Sequence, residues 1–159
     1  MNKNLRILVI CRDINNEDIL KTLLNDYDVF IKHSYVDAKK ILDSTDIDII
    51  IYDSDEDTSE WEFLNSIKSK EYFIIVFIDS KNSNNKYDLY KNGTSEVVYK
   101  PIKINQFHSI IKYANRYIIN KKNLNVLELC TKNLIKKNET PIINFSPEMI
   151  FTNKISGKI

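Results

Sequence analysis

The sequence predicts an α/β domain of the doubly wound type, in which helices cover both faces of a five-stranded parallel sheet. Short apolar runs alternate along the chain with stretches whose apolar residues recur at helical spacing. The run at residues 72–78, YFIIVFI, is almost wholly apolar, as expected of a central strand that is buried on both faces. Each pair of runs is separated by enough chain for one helix, which is typical of parallel strands.

The elements follow one another in a regular (βα)5 order. Strands are predicted at residues 6–10, 29–31, 47–52, 72–78 and 96–99. Helices are predicted at residues 16–26, 35–42, 61–67 and 86–91, and a longer helical pattern begins near Ile104. We expect Asn15 or Asn16 to cap the first helix and Gly93 to end the fourth.

Composition excludes several classes of function. The chain has 159 residues, is 43% hydrophobic, and carries a net charge of +1, so its overall charge favours neither nucleic acid nor a membrane. The two cysteines, Cys11 and Cys130, are far apart and suit a reducing compartment, which predicts a cytoplasmic protein. No apolar stretch approaches the length of a membrane span.

Glycine and histidine provide further exclusions. The chain contains only two glycines, whereas a loop that cradles phosphates needs several close together. His33 and His108 stand alone, outside any metal-binding spacing, and are interpreted as surface or packing residues. Nucleotide-dependent and zinc-dependent chemistry of the common kinds is therefore not expected.

A doubly wound sheet places its functional crevice at the carboxyl ends of its strands. Cys11, Arg12 and Asp13 follow the first strand, Asp53 ends the third, and two further polar residues complete the predicted pocket. Those two are Asp79, after the fourth strand, and Lys100, after the fifth. The fold is expected to bring these distant residues together.

These residues resemble the response-regulator receiver family, whose fold is flavodoxin-like. The stretch Asp48-Ile-Ile-Ile-Tyr-Asp53 is similar to the third strand of receivers, which ends in the aspartate that accepts phosphate. Gly93 followed seven residues later by Lys100-Pro101 is similar to the family's Gly and Lys-Pro signature, in which the lysine contacts the phosphoryl group. The resemblance covers about residues 5–119 and also includes Ala38 in the second helix.

The departures from the family pattern concern the chemistry of the pocket. Receivers usually end the first strand in two adjacent acids that hold Mg²⁺, where this chain has Cys11 and Arg12, with Asp13 next. They usually end the fourth strand in Ser or Thr, where this chain has Asp79, or Ile78 if the spacing from Gly93 is kept. The aromatic switch position three residues before the lysine is Val97.

Two interpretations of the resemblance remain open, with a third outside it. In the first, Arg12 or Lys100 pairs with Asp53 and replaces a metal. This predicts an atypical receiver that is not an enzyme and needs no cofactor. It would be a dimerisation and regulatory module of a transcription regulator, independent of phosphorylation or only weakly dependent on it. In the second, a histidine kinase phosphorylates Asp53 with Mg²⁺ held by Asp13 and Asp53. In the third, the chain is an unrelated flavodoxin-like binding or enzymatic domain.

Two pocket residues also have plainer interpretations. Asp53 alone is compatible with a carboxylate that caps the next helix or turn. Cys11 is compatible with a redox thiol made acidic by Arg12, although a small apolar residue at a strand end is the favoured interpretation.

The region after the domain is predicted in two parts, which divides the chain into residues 1–120, a helical linker at 121–138 and a short β segment at 139–159. Leu124, Leu127, Thr131 and Leu134 form an apolar stripe, on a helix that either runs on from the domain or starts anew. The simplest partner for this stripe is the same stripe on a second copy of the chain, which predicts a homodimer.

The β segment at residues 139–159 is similar to the opening strands of the winged-helix DNA-binding domain of many response regulators. It contains no recognition helix, so DNA is expected as a partner only through an output domain that this chain does not complete.

Overall fold

The computed structural model describes residues 4–54 and 58–137, with the side chains of residues 82–84 and 137 excepted. The strands are β1 Arg6–Ile10, β2 Asp28–Lys32, β3 Ile49–Asp53, β4 Phe73–Asp79 and β5 Glu96–Lys100. The helices are α1 Ile14–Leu23, α2 Tyr35–Ser44, α3 Thr58–Ile67, α4 Lys86–Lys91 and α5 Ile104–Lys137, with a 3-10 helix at Ser80–Asn85. The predicted order of elements is confirmed.

The five strands form one parallel sheet in the order β2-β1-β3-β4-β5. Strand order therefore reverses beside β1, where the chain moves first to β2 on one side and then to β3 on the other. A crevice forms at such a switch point, at the carboxyl ends of the strands. The predicted doubly wound fold is confirmed, and it brings the ends of β1, β3 and β5 to one edge.

Side chains alternate between the two faces of the sheet and build two apolar layers. One layer contains Ile7, Val9, Ile51 and Phe77, and it packs against α1 and against Phe107 of α5. The other layer contains Leu8, Ile50, Tyr52 and Val76, and it packs against α2, α3 and Leu89 of α4. Because the three central strands are covered on both faces, their sequences are continuously apolar, as expected for buried parallel strands.

The start of α1 and the end of α4 can be compared with the caps predicted from the sequence. The first helix begins at Ile14, and Asp13 is its cap, because Asp13 Oδ1 accepts a hydrogen bond from the amide of Asn15 at 3.0 Å. The prediction of Asn15 or Asn16 as the cap is wrong. At the end of α4, Gly93 has a φ of +100°, a conformation that glycine adopts at little cost, as predicted for this position.

The last helix is continuous through the polar residues 120–123, so the alternative of a separate second helix is wrong. By its internal contacts the chain divides into two units, residues 1–118 and residues 119–159. In the first unit α5 buries Phe107, Ile111, Ala114 and Ile118 in the core. In the second unit the helix continues to Lys137, and the predicted β segment at 139–159 lies outside the described residues. Among the described helices, α5 included, none combines the length and apolar character needed to cross a bilayer.

Candidate functional site

The centre of the site is an ion pair between Asp53 and Lys100. Asp53 is the last residue of β3 and Lys100 the last of β5, with β4 between them. Lys100 Nζ lies 3.1 Å from Asp53 Oδ1, and the side chains of Lys100 and Asp53 are 27% and 17% exposed. The parallel sheet aligns the ends of these strands, so two residues 47 positions apart in sequence come into contact.

Cys11 occupies the second side of the Asp53 carboxylate. Its thiol is 3.9 Å from Asp53 Oδ2 and donates a hydrogen bond to the carbonyl oxygen of Asp13 at 3.1 Å. Burial raises the pKa of Cys11, the hydrogen bond to Asp13 opposes that rise, and the nearby carboxylate of Asp53 adds to it. The thiol is therefore protonated at neutral pH, and the hypothesis of an acidic redox thiol is wrong.

Asn16 adds a further contact to Asp53. Its side-chain amide donates to Asp53 Oδ2 at 3.4 Å from the first turn of α1. Sequence reasoning treated Asn16 only as a helix cap and missed it as a pocket residue. The available signal was its place just after the predicted pocket segment, in the first turn of a helix that starts at the carboxyl end of β1.

Arg12 is exposed and stacks on an aromatic ring. Its guanidinium carbon lies 5.6 Å from the centroid of the Tyr35 ring, a cation–π arrangement. The sequence predicted that either Arg12 or Lys100 pairs with Asp53, and in the structure Lys100 lies at this carboxylate. The ring contact of Arg12 joins the end of β1 to the start of α2.

The two remaining predicted pocket residues have other roles or positions. The carboxylate of Asp13 caps α1, and its backbone oxygen accepts from the amide of Glu17 at 3.1 Å. Asp79 is exposed at the end of β4, where its backbone lies in register with Lys100. The structure thus brings together Cys11, Asp53 and Lys100, while Asp13 caps α1 and Asp79 is exposed.

His33 supports the pocket from outside. Its Nδ1 lies 2.7 Å from the carbonyl oxygen of Cys11, and because a carbonyl only accepts, Nδ1 carries the hydrogen and donates. Its Nε2 lies 3.7 Å from a carboxylate oxygen of Glu17, which also pairs with Lys21. His33 therefore fixes the backbone at the end of β1, a role that its isolation in the sequence did not reveal.

The side chains around Asp53 are a poor match for Mg²⁺. Mg²⁺ prefers hard oxygen ligands in octahedral geometry, whereas the groups beside Asp53 are a thiol, an amide donor and an ammonium. Within residues 4–54 and 58–137, no three His, Cys, Asp or Glu side chains come together in the manner of a metal site. Of the two predicted ligands, Asp53 pairs with Lys100 and Asp13 caps α1.

The positions next to the site on β4 and β5 are apolar. Ile78 and Val97 are both buried on the face of the sheet that packs against α2, α3 and α4. The opposite face contains Cys11, Phe77 and Val98. No hydroxyl therefore stands at Ile78 or at Val97 to respond to a change at Asp53.

Comparison with known proteins shows the fold. No family model matches the chain, and no curated protein matches it either. Solved structures do match. A response regulator receiver domain protein from Clostridium thermocellum is 24% identical with a TM-score of 0.63, and 76% of this chain covers 98% of that one.

Two further structures agree. A CheY-like response regulator receiver domain protein from Methanospirillum hungatei is 18% identical with a TM-score of 0.67, over 75% of this chain and 99% of that one. The signal receiver domain of an HD domain-containing protein from Pseudomonas fluorescens is 14% identical with a TM-score of 0.70, over 77% of this chain and 95% of that one. The chain has the fold of response-regulator receiver domains.

Proposed function

We propose that this chain is an atypical receiver domain that regulates by protein contact, as part of a cytoplasmic response regulator, and that it does not depend on phosphorylation of Asp53. The observation that carries the proposal is the neutral thiol of Cys11 at the Asp53 carboxylate, where receivers usually have an acid that helps to hold Mg²⁺, with Lys100 as the cation beside Asp53. The receiver fold of its structural neighbours supports the signalling role.

The set of groups in contact with Asp53 argues against this residue as a nucleophile. Phosphoryl transfer to a carboxylate needs a cation that neutralises the incoming phosphate oxygens and holds them in line. Here Lys100 contacts Asp53 and already neutralises the carboxylate itself. Among the described residues, the thiol of Cys11 and the amide of Asn16 also contact that carboxylate, and both groups are neutral and do not recruit a divalent metal.

The response that phosphorylation triggers in receivers also lacks its usual side chains here. The resemblance assigns that response to a hydroxyl at the end of the fourth strand and to an aromatic residue three before the lysine. At the end of the fourth strand the corresponding residue is Asp79, which is exposed and has no hydroxyl, or Ile78, which is buried. The residue three before the lysine is Val97. Because Ile78 and Val97 are apolar and already buried, neither has a reason to move when charge is added at Asp53. Their burial supports a domain with one preferred conformation at these positions.

Dimerisation is proposed as the way the domain acts. In the second unit, the stripe formed by Leu124, Leu127, Thr131 and Leu134 leaves its three leucines 61%, 62% and 54% exposed. Contiguous exposed apolar side chains at spacings of three and four are typical of helices that pair with another helix. A second copy of the chain supplies an identical stripe, and pairing of the two stripes would bring together the segments that follow them in the two chains.

The test is chemical phosphorylation of the purified protein. Incubation with acetyl phosphate and Mg²⁺, followed by intact-mass measurement, is expected to leave the protein unmodified. The matched control is Asp53→Asn, which removes the acceptor and keeps the shape. A phosphoryl adduct on the natural chain that is missing from Asp53→Asn would overturn the proposal and favour a working receiver, phosphorylated on Asp53 by a histidine kinase with Mg²⁺.

A further inference from the structure

In the second unit, α5 carries a concentration of lysines that the charge of the whole chain conceals. Residues 119–137, the described part of this unit, include five lysines and a single acid, Glu128, whereas the chain as a whole has a net charge of only +1. Four of these lysines and one asparagine lie on the same side of the helix. We call this group the lysine face, and its members are Lys121, Lys122, Asn125, Lys132 and Lys136.

Helical geometry explains why these residues share one side. Lys121, Asn125, Lys132 and Lys136 are separated by four, seven and four positions, which are spacings that return to the same side of an α-helix. Lys122 lies beside this row. The face covers roughly a third of the helix circumference and extends for about 22 Å along the axis. Lys121 is half-buried and the other four residues are exposed, so a large partner can reach them.

The lysine face lies away from the apolar stripe of the same helix. The stripe consists of Leu124, Leu127, Thr131 and Leu134. Because each residue turns the helix by roughly 100°, the stripe and the lysine face are centred on nearly opposite sides. Pairing of two stripes would therefore leave the lysine face of each chain accessible.

Two neighbouring residues define the limits of the lysine face. Glu128 lies at its border, four positions before Lys132, and lowers its net positive charge. Leu129 lies within it and is 61% exposed. The remaining groups are ammonium and amide groups that donate hydrogen bonds. The face therefore suits a partner that presents many negatively charged acceptors.

The position of the lysines argues against a lipid surface as this partner. A helix that lies on a membrane buries its apolar face at the boundary between headgroups and acyl chains. Long basic side chains then reach the headgroups from the flanks of that face. Here the lysines are centred opposite the stripe, so they would point towards water if the stripe were inserted into lipid.

A DNA duplex matches the lysine face better. An α-helix is about 10–12 Å wide with its side chains, and the major groove of B-DNA, at about 12 Å, admits one. The major groove of double-stranded RNA is deep and narrow, and side chains do not enter it in this way. Lysines clustered along one side of a helix are the charge pattern that is typical of contacts with DNA phosphates.

We infer that the lysine face binds the phosphate backbone of double-stranded DNA without selecting a sequence. Ammonium groups contact phosphates, which are the same at every base pair, so these contacts provide affinity and carry no sequence information. The inference goes beyond the proposed function. It does not depend on dimerisation either, since the stripe occupies the other side of the helix.

The experiment measures the fluorescence anisotropy of a short labelled duplex of mixed sequence, titrated with the full chain at several KCl concentrations. Binding is expected, and the logarithm of the association constant should fall against the logarithm of the salt concentration with a slope of about −3. The test variant combines Lys132→Gln with Lys136→Gln, which removes two charges and retains good helix formers. It should weaken binding at low salt by about tenfold and bring the slope to about −1.

The matched control combines Lys68→Gln with Lys70→Gln. It removes the same charge from the first unit, where both lysines are exposed just after α3, and it should leave the affinity and the slope unchanged. Glu128→Gln removes the acid at the border of the lysine face and should tighten binding by about twofold or more. Circular dichroism and urea denaturation of each variant establish that the fold is retained.

Three results would overturn the inference. The first is no change in anisotropy at low salt. The second is an equal loss of binding in the Lys68 and Lys70 variant, which would assign the effect to total charge. The third is co-sedimentation of the chain with phosphatidylserine vesicles, weakened by Lys132→Gln with Lys136→Gln, when the duplex is not bound, which would assign the face to lipid. None of these results bears on whether acetyl phosphate modifies Asp53.

Discussion

Lys100 Nζ lies 3.1 Å from Asp53 Oδ1, and this single contact joins the ends of two strands that β4 keeps apart. The pair is partly buried, so its energy lies between that of a surface ion pair and that of a pair removed from water. It holds the edge of the sheet together and neutralises the carboxylate at the centre of the crevice.

Removal of the lysine tests how much the ion pair stabilises the fold. Lys100→Met should lower the free energy of unfolding by about 1–2 kcal/mol, because Asp53 would keep its charge in a partly buried place without its cation. Urea denaturation provides the measurement. In an Asp53→Asn background the same substitution should cost less, since no charge is then left unpaired.

The control for this prediction is Lys40→Met. Lys40 pairs with Asp37 at 3.0 Å on the surface of α2, and both side chains are largely exposed. Its loss should change stability by less than about 0.5 kcal/mol. Equal losses for Lys100→Met and Lys40→Met would show that the pair at the pocket is no stronger than a surface contact.

The buried thiol predicts low chemical reactivity. Cys11 is 1% exposed and its pKa is raised from the ordinary 9.0, so iodoacetamide should label it slowly in the folded protein. Cys130 is exposed on α5 and is the internal control. Mass spectrometry of the labelled peptides separates the two, and rapid labelling of Cys11 at neutral pH would contradict the structure of the pocket.

The same thiol predicts a pH dependence of stability, whose sign is given by the direction of the pKa shift. Because the folded thiol has the higher pKa, the unfolded chain loses its proton first, and stability falls as pH rises above about 9. Below that pH the contribution is fully present. The urea midpoint should therefore decline more steeply as the pH rises above about 9 in the natural protein than in Cys11→Ala. Parallel declines would refute the assignment.

The exposed stripe on α5 predicts the oligomeric state. Removal of the residues after Asn120 should convert a dimer to a monomer of the shortened chain in light scattering, because the stripe is lost. Leu127→Glu should act in the same direction in the full chain. Lys132→Glu, a charge change at another exposed position of the same helix, is the matched control and should leave the mass unchanged. A dimer that survives the truncation would place the interface on the first unit, around β5.

Much of the fold was predictable because local chemistry determines it. β4 is apolar and buried up to its last residue, Asp79, as expected for a strand that is covered on both faces. The other apolar runs alternate along the chain with stretches of helical periodicity. Parallel strands with single-helix connections leave few topologies, so the pocket edge was predicted along with the sheet. Helix boundaries depend on finer contacts, and the cap of α1 was assigned to Asn15 or Asn16 when the carboxylate of Asp13 performs it.

The sequence by itself determined the order of elements, the edge at which polar residues gather, and the replacement of acids by Cys11 and Arg12. These depend on hydrophobic periodicity and on residue identity, which need no knowledge of distances. Only the tertiary structure decided which cation pairs with Asp53, because the sequence was compatible with either Arg12 or Lys100. In the structure Lys100 contacts Asp53, and Arg12 stacks on the ring of Tyr35. The contacts of Asn16 and His33 were also decided only by the tertiary structure, because the partner of each is distant in sequence.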